Sequence, residues 1–122
     1  MTRKTRLVPI LLVGLAVFVP VLVLWCRDSI RSTLQTQWAV DSVEHFEMAA
    51  RLSPFQSPSE LRSSLEHVVH YYPSGITHQV GSPTERMVEA SRRMAVRTII
   101  GELRKKTGKD LGDDPQDWIS RK

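Results

Sequence analysis

Apolar positions in this chain form one unbroken block, followed by spaced stripes. Residues 7–26, LVPILLVGLAVFVPVLVLWC, carry no charge, and only Pro9, Gly14 and Pro20 interrupt the apolar side chains. At about 1.5 Å per residue a helix over this run spans about 30 Å, the thickness of a bilayer's hydrocarbon core. The block therefore predicts a transmembrane helix. A cleaved signal peptide fits less well, because its apolar stretch is about 7–15 residues and ends in a small-x-small site. VLVLWCRD offers no such site, and Trp25 stands where a lipoprotein signal needs a small residue before its cysteine.

Beyond the block the pattern becomes helical and amphipathic. Residues 28–52 contain neither Gly nor Pro. Ile30, Leu34 and Trp38 recur four apart, and Val43, Phe46, Ala50 and Leu52 continue the apolar side. This spacing predicts an amphipathic, stalk-like helix. Trp38 and Phe46 are expected in a core, with Trp38 also a candidate partner contact.

Ser53-Pro54 ends that helix, since a residue before proline avoids the helical region. Ser57-Pro58-Ser59-Glu60 is a capping box with proline in the first helical position, so it predicts a second helix. Leu61, Leu65, Val68 or Val69, and Tyr72 line one face of it, and Pro73-Ser74-Gly75 stops it. The same grammar returns at Ser82-Pro83-Thr84-Glu85. A long third helix follows, with Met87, Val88, Ser91, Met94, Ala95, Ile99 and Leu103 on one broad stripe and Gly108 as its C-terminal cap. In the tail Asp114 caps a short helix that begins at Pro115, and Leu111 and Trp118 are placed to fold it back.

The expected fold class is therefore all-α. One N-terminal transmembrane helix is followed by a stalk-like helix and a small helical bundle. The organisation reads as 1–6 basic tail, 7–26 anchor, 27–53 stalk helix and 54–122 helical domain. The 66 residues from Ser57 onward bury a limited core. Helix 28–52 or another copy of the chain is expected to supply the missing surface, so homo-oligomerisation is an expectation from size.

Charge sharpens this picture. The net charge of +4 comes from 17 Lys/Arg against 13 Asp/Glu. Arg3, Lys4 and Arg6 precede the apolar block, and the rest of the chain is nearly balanced. By the positive-inside rule these three place the N-terminus in the cytoplasm and the C-terminal domain outside it. With Trp25, whose ring suits the interface, they are the expected membrane-interface residues. A basic tag beside an anchor is no evidence for nucleic acid, which needs a basic face on the folded part.

Residues 86–109 do hold a local excess, with Arg86, Arg92, Arg93, Arg97, Arg104, Lys105, Lys106 and Lys109 against Glu89 and Glu102. Most of this is expected to be a solvated helix face. Arg92, Arg93 and Arg97 are its candidate partner contacts, and anionic lipid or another polyanion is an alternative ligand. No aromatic residues interleave to stack bases.

Catalytic signals are sparse. Cys26 is the sole cysteine, and it lies in the apolar block. No Gly-x-Ser-x-Gly elbow or phosphate-cradling loop occurs. His67 and His70, three apart beside Glu66, have a spacing that can share a metal. They do not form the His-Glu-x-x-His pattern, and a third ligand would have to come from His45, His78 or a distant carboxylate. Asp110, Asp113, Asp114 and Asp117 cluster without forming a calcium loop. No metal, no cofactor and no enzymatic activity are expected. A small metal-dependent or hydrolytic enzyme built on the His67/His70 region is the contrasting alternative.

Tyr72-Pro73-Ser74-Gly75, Gly81-Ser82, Glu85-Arg86-Met87-Val88-Glu89 and the ending Lys106-Thr107-Gly108-Lys109-Asp110-Leu111-Gly112-Asp113-Asp114-Pro115 with Trp118 carry a resemblance. They resemble small membrane-anchored bacterial proteins with the Thr-Gly-x-Asp-Leu-Gly-x-Asp-Pro-x-x-Trp tail of some helical-repeat (HEAT-like) proteins. The resemblance covers the last 50 residues or so. It implies a helical fold and a protein-contacting role, and it supplies no activity. The functional expectation is a single-pass, membrane-anchored module that contacts another membrane or envelope protein.

Overall fold

Local helix signals account for nearly every boundary in the computed structural model, which describes residues 4–71 and 79–121, with side chains from residue 12 onward. The chain divides into two compact units, Met1–Leu34 and Gln35–Lys122. All described elements are helical and no strand occurs among them, so the all-α expectation holds. The elements are α1 (Lys4–Leu52), a 3-10 turn (Ser53–Phe55), α2 (Pro58–His70), α3 (Pro83–Thr107) and α4 (Pro115–Ser120). Tyr72, expected on the apolar face of the second helix, and the expected stop at Pro73-Ser74-Gly75 lie outside the described residues, as do Arg3 and the side chains of Lys4 and Arg6.

In the first unit, one helix is long and apolar enough to cross a membrane. None of its most apolar window is buried, and the large apolar side chains from Leu12 to Trp25 are all exposed. A helix apolar on every side has no polar face to turn to water.

In the second unit, α1 buries Ala39, Ser42 and Phe46, with Val43, Ala49 and Ala50 partly covered. This departs from the expected stripe. Ile30, Leu34 and Leu52 are exposed, and Trp38 keeps 39% of its surface. The line Ala39–Ser42–Phe46 lies about one-fifth of a turn round the helix from Trp38. A serine can occupy a core position here because its Oγ donates to Trp38 O at 2.7 Å.

The two capping motifs are built differently. At Ser57 both halves of the box form: Oγ accepts from Glu60 N at 3.4 Å, and Ser57 N donates to Glu60 Oε2 at 2.7 Å. Hydrogen bonding from Ser57, its amide first and its side chain second, holds the Glu60 carboxyl below its ordinary range. At Ser82 only the hydroxyl half forms, with Glu85 N donating at 3.1 Å. Ser82 N is already committed to a turn, donating to Gln79 O at 3.0 Å. Glu85 therefore takes the next amide back, that of Gly81, which sits at φ +79. This leaves the Glu85 carboxylate buried at 9% exposure and satisfied by backbone.

Leu61, Leu65 and Val68 of α2 pack against Val88, Ala95, Ile99, Ile100 and Leu103 of α3. The α3 stripe is narrower than expected, because Met87 and Met94 are exposed. Gly108 closes α3 in the left-handed conformation at φ 66, its N–H donating to Arg104 O at 2.9 Å.

Trp118 of α4 completes the core at 1% exposure. Its Nε1 donates to Gly112 O at 2.8 Å, so the ring is buried without an unpaired donor. Trp118→Ala is expected to cost about 3–5 kcal/mol, the usual loss for truncating a buried large aromatic. Urea unfolding of the full chain in detergent measures this. A loss below about 1 kcal/mol would show that the tail is not part of the core.

Candidate functional site

The basic side of α3 loses most of its charge to internal contacts, and the exceptions define a site. Arg92 is 8% exposed. Its Nη1 donates to Val68 O at 2.6 Å and to Val69 O at 3.1 Å. These carbonyls belong to the last turn of α2, where the helix itself provides no donors. Arg92 Nε also meets Glu89 Oε1 at 3.3 Å, and the guanidinium carbon lies 4.8 Å from the centre of the Phe46 ring. Arg92, one of the expected partner contacts, thus has its Nη1 and Nε engaged within the fold, and it also lines the groove described below.

Other basic residues are committed as well. Arg104 Nε donates to Asp110 Oδ1 at 2.8 Å and Nη2 to Asp113 Oδ1 at 2.7 Å. The two carboxylates, Asp113 first, raise the Arg104 pKa above its already high value. The Gly112 amide and then Arg104 hold the Asp110 carboxyl below its usual range. Arg86 Nη1 donates to Gly81 O at 3.0 Å, and Lys105 pairs with Glu102 at 2.7 Å. Lys106 Nζ donates to Pro54 O at 2.7 Å and also to Gln56 O. Arg93 and Arg97, both exposed, have no hydrogen-bond or ion-pair partner among the described residues.

Arg93 and Arg97 border a groove of about 710 Å³ walled by Val69 of α2, by α3, and by the start of α4. Val69, Val96, Ile100 and Pro115 supply its apolar lining, and Arg104 and Asp113 close one end. The volume falls within the range of about 300–1,000 Å³ typical of ligand sites. One apolar surface with two unmatched guanidiniums can hold an apolar body that carries negative charge.

The histidines occupy a different face. His67 and His70 do not converge with a third ligand. His70 Nδ1 pairs with Glu66 O at 2.8 Å, and His67 tilts against Tyr71 with centroids 4.9 Å apart. Packing of α1 brings in His45, which stacks on Tyr71 at 4.7 Å and lies 6.3 Å from His67. Among the described residues no three His, Cys, Asp or Glu side chains are placed to hold a metal ion. His78 lies outside the described residues. The tail aspartates act within the fold: Asp110 and Asp113 hold Arg104, and Asp114 caps the Gln116 amide at 2.9 Å.

Trp38 is half-exposed on α1, away from the lining of the groove, and Trp25 is exposed in the apolar run. The expected contact set of Trp38, Arg92, Arg93 and Arg97 thus separates into an isolated ring, a buried structural arginine and an exposed pair. Compared with family models, with curated proteins and with solved structures, the chain matches none of them.

Two outcomes test this division of the charges. Arg92→Met is expected to cost about 2–4 kcal/mol, because two carbonyls lose their donor and Phe46 its cation. Arg97→Met should change stability by less than about 0.5 kcal/mol, as for an exposed unpaired charge. Denaturant titration of both variants distinguishes them. The acid limb gives the second outcome. Because the folded-state pKa of Asp110 lies below its usual value, its contribution is complete above about pH 5 and fades as pH falls through that depressed pKa. Asp110→Asn should therefore lower stability at pH 7 and flatten the loss below about pH 5; an unchanged acid limb would rule out this linkage.

Proposed function

We propose that this chain is a single-pass, membrane-anchored interaction module. Residues 7–26 are its anchor, and Gln35–Lys122 is a helical unit that docks another membrane or envelope protein. Arg3, Lys4 and Arg6 on the N-terminal side favour a cytoplasmic N-terminus, which puts the helical unit on the other side of the membrane. Trp25 then lies at the far interface. The supporting observation is the groove on the helical unit, apolar inside and edged by two arginines whose charge nothing in the described fold balances. The other basic side chains of α3 (Arg86, Arg92, Arg104, Lys105 and Lys106) have partners within the fold, which leaves the arginine pair at this groove as the prepared surface for recognition. Among the described residues the histidine face shows no convergent third metal ligand, which supports the interaction reading over the metal-dependent alternative.

Two experiments test the proposal. In sealed right-side-out vesicles, added protease should degrade residues 35–122 without lysis. Degradation only after the vesicles are opened would reverse the orientation. A photo-cross-linking residue at position 90 of the full chain, exposed on α3 one turn before Arg93, should yield a discrete protein adduct in intact cells. The same probe at Arg51, exposed on α1, should not. Equal labelling from both positions, or none from 90, would overturn a groove-centred interaction.

A further inference from the structure

The groove has a direction, and its direction specifies what fits. Arg93, Arg97, Ile100 and Arg104 succeed one another along one side of α3. From 93 to 104 the helix rises about 16 Å, or three turns. Arg93 and Arg97 sit one turn apart, with roots about 6 Å from each other. At the opposite end Arg104 is already bound by Asp110 and Asp113, and Asp113 itself faces the groove. One end therefore attracts carboxylates, and the other repels them. Between the ends, Val69, Val96, Ile100 and Pro115 offer apolar contact.

We propose that the groove binds a short amphipathic helix of a partner protein. This helix carries two carboxylates one turn apart at the Arg93/Arg97 end, an apolar side chain over Val96 and Ile100, and no acid at the Asp113 end. Helix-in-groove docking reads anchors at such spacings, and the charges set register and exclude wrong partners. A lipid headgroup concentrates its charge at one phosphate. That matches the two separated guanidiniums less well than two carboxylates on a helix do. The inference rests on the interaction reading above and adds the partner's chemistry and polarity to it.

The test is selection of a random 14-residue peptide library, displayed on phage, against the full chain in zwitterionic nanodiscs. Enriched peptides should be helical and carry two Glu or Asp three or four residues apart beside a large apolar residue. Their affinity should fall about tenfold for Arg93→Ala/Arg97→Ala, the sum of two exposed charge pairs. It should stay within about threefold for Arg93→Lys/Arg97→Lys. Adding an acid at the peptide's neutral end should weaken binding to wild type, and Asp113→Asn should relieve that penalty. Thermal unfolding of each variant serves as the folding control.

Absence of enrichment, acid-free binders, or binders indifferent to Arg93→Ala/Arg97→Ala would overturn the inference. So would Arg93/Arg97-dependent binding of dihexanoyl-phosphatidylglycerol without acidic peptides, which would assign the groove to lipid. A position-90 adduct that persists after Arg93→Ala/Arg97→Ala would leave the membrane-tethered interaction module standing while removing the paired-carboxylate helix.

Discussion

Arg92 is the interaction on which the helical unit depends. α2 ends without a Gly cap among the described residues, and its Val68 and Val69 carbonyls point into a region with little water. An unpaired buried carbonyl costs about 1–3 kcal/mol, so a donor must be imported. α3 supplies a guanidinium, whose carbon lies 4.8 Å over the Phe46 ring of α1 while its Nη1 serves the end of α2. One side chain thereby joins three helices. Lysine could place one ammonium there but could not also present a flat face to the ring.

The same logic explains why a helix with so much positive charge leaves so little of it available. A small helical unit has few ways to close its loops and helix ends. It uses Lys106 to hold the turn at Pro54 and Gln56, and Arg104 to gather the tail around Asp110 and Asp113. The second arrangement also places Trp118, because the 108–114 turn it braces carries Gly112, whose carbonyl receives the indole N–H. Charge on α3 is thus mostly fold chemistry. Arg93 and Arg97 are exceptional because they neither close a loop nor end a helix.

Legibility followed the range of each interaction. Ser57 with Glu60, the αL glycine at 108 and the Asp114 cap were all readable, because each is decided within about four residues of chain. The second capping motif was readable only in part. A turn from Gln79 claimed the amide that Glu85 would otherwise have bonded, so the carboxylate moved to Gly81. Phe46 was correctly expected inside, whereas the stripe through Ile30, Leu34 and Trp38 was not the buried one. Periodicity shows that a helix has an apolar side, but two overlapping sides compete, and a small Ala39 and a self-satisfied Ser42 can pack closer than Trp38. Among the candidate contacts, the internal bonds of Arg92 were not readable, because spacing cannot distinguish an exposed arginine from one that reaches 24 positions back along the chain.

By itself the sequence determined where α2, α3 and α4 begin, where α3 ends, that the described elements are helical, and that one segment is long and apolar enough to enter a bilayer. Those outcomes rest on local backbone chemistry and on summed hydrophobicity, both written in consecutive residues. Tertiary structure alone decided which face of α1 is covered, which of eight basic residues on and after α3 remain unspent, and that Val69, Ile100 and Pro115 share one groove. These are contests between residues far apart in the chain, settled by which carbonyls, rings and carboxylates the packing of α2, α3 and α4 brings within reach. The boundary has the same physical cause throughout: hydrogen bonds within a turn are specified by their neighbours, whereas the disposition of charge depends on the whole fold.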